Sequence, residues 1–183
     1  MAHIPLKDEN LPGIVGLLNN NPVTAKPLCE LAEVLLVDKN SLSKGEREII
    51  AASVSYWNEC HFCHSSHGAA AAAHEGEGVD FLDKIKQGFT HGGISEKLRS
   101  LLNIAHKVQQ GGKKVSKEDI DRAKSLGSTD REIHDTVLIA AAFCMYNRYV
   151  DGLATWAPRE NGAYMDMGKR LAEQGYLMEA VPA

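Results

Sequence analysis

Cys60 and Cys63, three residues apart in the run Cys60-His61-Phe62-Cys63, are the side chains of this chain best suited to redox chemistry. A thiolate is the attacking form of cysteine, and a second thiol three residues away can capture the first oxidation product as a disulfide. His67 follows Cys63 by four residues, so on a helix it shares a face with both thiols and is placed to take a proton from one of them. A carboxylate on the preceding antiparallel helix would orient that imidazole. Glu48, twelve residues before Cys60, is the candidate, with Glu46 and Glu59 competing on spacing. His74, seven beyond His67, shares the broad face, while His61 and His64 fall off it and read as solvent or interface residues. Cys29 and Cys144 lie in apolar stretches, where free cysteine behaves as a small core residue, and His74 and His106 read as ordinary satisfied histidines.

The elements that must hold these residues are helices. Aromatics make up 6% of the chain, alternating β-branched runs are few, and apolar residues recur at three and four, which together predict an all-α fold. Residues 1–21 read as an N-terminal arm ending in a short turn of helix. Thr24 to Val37 predicts a helix with Leu28, Leu31, Leu35 and Leu36 on one face, Pro27 being tolerable only in its first turn. Ser43 with Glu46 is a capping-box pair that opens the next helix, and a second helix begins around Cys60, so 43–74 is a helix pair with the CxxC at the N-terminal end of its second member. At that position unpaired backbone N–H groups favour a thiolate, which makes Cys60 the more acidic thiol on helix position alone. Further starts stand at Phe81, Ser95 and Ser116. Thr129 with Glu132 opens a long core helix within 129–156, and Gly162 to Gly175 predicts a final amphipathic helix.

At 183 residues, with 44% hydrophobic and 24% charged residues, the chain has the size and composition of one globular domain, 1–183. A net charge of -4 offers no basic surface for nucleic acid. No segment approaches the ~20 apolar residues of a membrane span, and the first twenty residues lack a charged start followed by a long apolar run, so a cytoplasmic setting is expected. In a reducing compartment a CxxC is either a redox dithiol or half of a metal site.

The order Glu48, then Cys60-x-x-Cys63, then His67 resembles the alkylhydroperoxidase D-like (AhpD-like) branch of the carboxymuconolactone decarboxylase superfamily, and most closely its peroxidase-related subgroup. The stretch from Gly45 to His67 carries most of the likeness, with agreement from Thr24 to Leu36 and from Asp130 through Gly152, so it spans nearly the whole chain. The resemblance implies an AhpD-like helical domain, a homo-oligomer (trimer or hexamer), and peroxide reduction through a dithiol–disulfide cycle restored by an external dithiol or protein reductant. It also implies roles: Cys63 as the peroxidatic thiol, Cys60 as the more exposed resolving thiol, and His67 with Glu48 as a proton relay. On the order of attack it disagrees with helix position, and the reading follows the resemblance. Phe62 departs from better-known members, which place a histidine directly before the second cysteine.

The expected activity is therefore that of an antioxidant thiol peroxidase, an oxidoreductase acting on organic or hydrogen peroxide and requiring no bound cofactor. Phe62 and Trp57 beside the motif would favour an organic hydroperoxide. Three alternatives compete: a general disulfide oxidoreductase or electron-transfer adaptor, a zinc-binding module using Cys60, Cys63 and His67, and a helical oligomer with a vestigial site.

Overall fold

The computed structural model describes residues 2–90 and 92–177; the extreme ends of the expected 1–183 domain lie outside them. Among the described residues the fold is all-α: α1 (Gly13–Asn20), α2 (Pro22–Leu36), α3 (Lys44–Trp57), α4 (His61–Glu75), α5 (Phe81–Lys86), α6 (Glu96–Gln110), α7 (Lys117–Ser125), α8 (Asp130–Gly152) and α9 (Met165–Gln174).

The helix starts follow from side-chain chemistry at their ends. Ser43 Oγ accepts from the Glu46 backbone N–H at 3.0 Å while the Glu46 carboxylate accepts from the Ser43 N–H at 2.9 Å, so two otherwise unpaired donors of α3 are satisfied. Ser116 with Asp119 and Thr129 with Glu132 repeat the arrangement at α7 and α8. The start of α2 differs from expectation. Pro22, with its φ already set for a helix, occupies the first turn, which places Pro27 inside the helix instead of at its opening. The break in hydrogen bonding that Pro27 imposes falls opposite Val23, which is 84% exposed, where water can reach the released carbonyl.

Helices α3 and α4 form the antiparallel pair that carries the cysteines. The chain reverses at Asn58-Glu59-Cys60, with Glu59 in the left-handed region at φ 62° and the Cys60 N–H bonding the Ser55 carbonyl at 3.0 Å. Ile50 and Val54 of α3, Leu101 and Ile104 of α6, and Ile139 and Phe143 of α8 are buried together in the main core. Each fully buried side chain of this size contributes about 1.5–3 kcal/mol. On the other side of α4, α9 approaches so closely that a Cβ on Gly168 would lie 2.4 Å from the Ala69 carbonyl carbon. The alanine run Ala69–Ala73 on one helix and the glycine on the other make that approach possible. It brings α9, and the residues after it, against the motif helix.

Candidate active site

Cys60 is the N-cap residue of α4, and Cys63 and His67 follow on its first two turns. Glu48 lies one turn into α3, whose capping box fixes its start. The α3–α4 pairing then places the Glu48 carboxylate against the imidazole of His67, with Oε2 at 2.8 Å from Nδ1. Glu48 is only 1% exposed, so its carboxyl oxygens are satisfied by protein partners and not by water. The competing carboxylates are engaged elsewhere: Glu46 closes the α3 capping box, and exposed Glu59 makes the turn.

His67 stands edge-on to the ring of Phe143, 4.6 Å between centroids, and stacks on Tyr176 at 5.6 Å with planes 13° apart. Together with Cys63 it borders a cavity of about 290 Å³, close to the lower end of the usual range for small-molecule pockets. Most of the wall is apolar, including Ile14, Leu18, Leu28, Phe62, Phe143 and Leu171 from α1, α2, α4, α8 and α9.

Both thiols are buried, Cys60 at 0% and Cys63 at 2% exposure. The expectation of a more exposed Cys60 is thus not met; Cys60 packs against Val150 and Tyr164, whereas Cys63 is the one that borders the cavity. Nor is the helix-start thiol acidified. Its hydrogen bond with Cys63 and then its burial push the Cys60 thiol far up, outweighing the Cys63 backbone amide, which acts the other way. A helix terminus stabilises a thiolate only while that charge keeps some solvation, and here it would lie against a second sulfur. Asp151 also neighbours Cys60: burial raises its carboxyl, and a hydrogen bond with Cys60 lowers it.

Other histidines settle differently from their expected places. His64 is 3% exposed and not at solvent: its Nδ1 pairs with the Ala52 carbonyl at 3.1 Å, and burial drives its pKa down to about 4. The off-motif face of α4 turned inward because α3 covers it. His61 contacts the Pro158 carbonyl at 2.9 Å, His74 is half-buried further along α4, and His106 packs on Trp57. Cys144 accepts from Asn58 Nδ2, while Cys29, read as a core residue, is buried yet lines the same cavity as Cys63. Among the described residues no three His, Cys, Asp or Glu side chains are grouped as metal ligands, and this includes Cys60, Cys63 and His67.

Sequence reasoning missed Tyr176. Its hydroxyl donates to Glu48 Oε1 at 2.5 Å and lies 3.2 Å from His67 Nδ1. An aromatic directly after Gly175, which ends α9, signals packing back onto the helix, but nothing local points to a partner 128 residues away.

No protein-family model and no curated protein matches the chain. Solved structures do. An uncharacterized peroxidase-related protein from Ralstonia eutropha JMP134, described as an alkylhydroperoxidase AhpD core, superposes with a TM-score of 0.79 at 21% identity, covering 92% of this chain and 96% of that one. An uncharacterized peroxidase-related protein from Silicibacter sp. TM1040 reaches 0.75 at 25% identity over 84% of this chain and 78% of its own. A protein of unknown function from Agrobacterium tumefaciens gives 0.68 at 18% identity, covering 81% and 99% respectively. The chain has an all-α, AhpD-like fold, shared with the two peroxidase-related proteins and with the Agrobacterium protein.

Proposed function

We propose that the protein is a thiol-dependent peroxidase in which Cys63 attacks the peroxide and Cys60 resolves the product. The observation that carries this reading is that Cys63 and the Glu48-paired His67 border one cavity whose wall is otherwise mostly apolar. His67 accepts the Cys63 proton, and the thiolate sulfur attacks the terminal peroxide oxygen. The O–O bond breaks, its electron pair leaves with the alkoxide, and His67 returns the proton to give an alcohol and a sulfenic acid. Cys60 then attacks the sulfenic sulfur, water departs, and the disulfide is reduced by an external dithiol. The peroxide is reduced by two electrons and the dithiol supplies them.

An apolar cavity favours an organic hydroperoxide, since apolar surface gains about 25 cal/mol per Å² on leaving water. Burial of both sulfurs favours small reactants over protein disulfides, and so a small dithiol as donor. The fold likeness and the sequence resemblance support an antioxidant oxidoreductase. The resemblance further leads us to propose a cytoplasmic homo-oligomer.

The test is consumption of cumene hydroperoxide and hydrogen peroxide by the reduced protein with dithiothreitol as donor. Turnover is expected with preference for the organic substrate. Cys63→Ser abolishes it, while pre-reduced Cys60→Ser, freed of dithiothreitol before peroxide is added, gives one fast turnover ending in a trappable sulfenic acid. A protein that forms the disulfide yet consumes neither peroxide would overturn the reading.

A further inference from the structure

Tyr176 is held at both ends by carboxylates from different helices. Its backbone N–H donates to Glu33 Oε2 of α2 at 2.7 Å, and its hydroxyl donates to Glu48 Oε1 of α3. The chain enters this position through Gly175, at φ 74°, where a Cβ would lie 2.5 Å from the Glu33 carboxylate. A side chain there would break the anchor as well as strain the backbone. The placement is therefore specific.

The hydrogen bonds among the three groups favour one arrangement of their protons. The phenol has one proton, and its shorter contact is to Glu48 Oε1 at 2.5 Å, against 3.2 Å to His67 Nδ1. Glu48 Oε2 lies 2.8 Å from the same Nδ1. A phenol donating to Oε1 favours a Glu48 that accepts on both oxygens, and such a Glu48 selects the His67 tautomer with its proton on Nδ1 and the lone pair on Nε2. Without the phenol, the carboxylate is free to turn about its last torsion, and the proton on Nδ1 loses its fixed acceptor. Burial, followed by the charge of Glu48 and the hydrogen bond to it, holds the Tyr176 hydroxyl well above the ordinary tyrosine value, so it remains a donor.

We propose that Tyr176 is a positioning residue: its hydroxyl fixes Glu48 as a charged acceptor and so keeps His67 in the tautomer whose Nε2 can take the Cys63 proton. The inference deepens the peroxidase reading and rests on it for purpose, but not for detection. Glu33, which makes no hydrogen bond to His67 or Glu48, acts through Tyr176 by anchoring its backbone.

Tyr176→Phe retains the ring stacked on His67 and removes the hydroxyl; Glu33→Ala removes the anchor and leaves the relay residues intact. Two readouts need no peroxide turnover: the alkylation rate of Cys63 by iodoacetamide in a Cys60→Ser background, and the ¹⁵N resonances of the His67 ring, which report its tautomer. Loss of one charge-assisted hydrogen bond predicts alkylation roughly tenfold slower in Tyr176→Phe. The single Nδ1–H ring signature should give way to mixed tautomers, and Glu33→Ala should move both readouts the same way by less. A Tyr176→Phe protein that folds, alkylates at the parent rate and shows the parent ring spectrum would reduce Tyr176 to packing and overturn the proposal. If the parent protein consumes no peroxide while these shifts appear, the peroxidase reading falls and the positioning role stands.

Discussion

His64 and His67 lie three residues apart on one helix and meet opposite fates. His67 gains a carboxylate at Nδ1, while His64 is buried with Nδ1 on the Ala52 carbonyl and no partner at Nε2. A group buried neutral ties stability to pH. The folded-state pKa of His64, about 4, lies below its ordinary value of 6.5, so on acidification the unfolded chain binds the proton first. Its contribution is complete above about pH 6.5 and is lost as pH falls toward 4, with a magnitude of order 3 kcal/mol. His64→Gln keeps a donor and does not titrate. Urea midpoints measured across that window should fall less steeply for this variant than for the parent; parallel slopes would show that other groups govern acid sensitivity. The same residue shows where sequence reading stops. Spacing separated His64 from the thiol face, but whether that other face met water or α3 depended on what packed there.

The helix pair α3–α4 is the element that makes the relay, and α9 is the element that finishes it. Periodicity and capping residues located these helices because both act within a few residues, and the boundaries at Ser43, Ser95, Ser116 and Thr129 coincide with the observed caps. The crossing of α9 on α4 was not legible, since it depends on matching Gly168 with Ala69 across 99 positions. Gly168→Ala tests it. Alanine gains up to ~1 kcal/mol of helix propensity, yet its Cβ would meet the Ala69 backbone and force the helices apart at about 1–3 kcal/mol. Net destabilisation in urea is expected, together with slower Cys63 alkylation as Tyr176 shifts. A variant as stable as the parent, or more so, would mean that the two helices separate at little cost.

At the scale of the whole molecule, five helices from the start, middle and end of the chain line one cavity, and its apolar wall sets the expected substrate preference. Ile14 on α1 lines it, so Ile14→Phe should fill space and raise the KM for cumene hydroperoxide by about tenfold, roughly 1.4 kcal/mol. Hydrogen peroxide turnover should change little, and an equal loss for both substrates would argue against the cavity as the binding site. By itself the sequence determined the all-helical class, most helix starts, and the grouping of Cys60, Cys63 and His67, because helical periodicity and end-capping are local properties of the chain. It also pointed to Glu48, through the short reversal between two adjacent helices. The tertiary structure alone decided that both sulfurs are buried, that Cys63 borders the cavity, and that Tyr176 reaches Glu48. These depend on which surfaces of distant helices come together, and the close packing that selects them leaves no periodic trace in the chain.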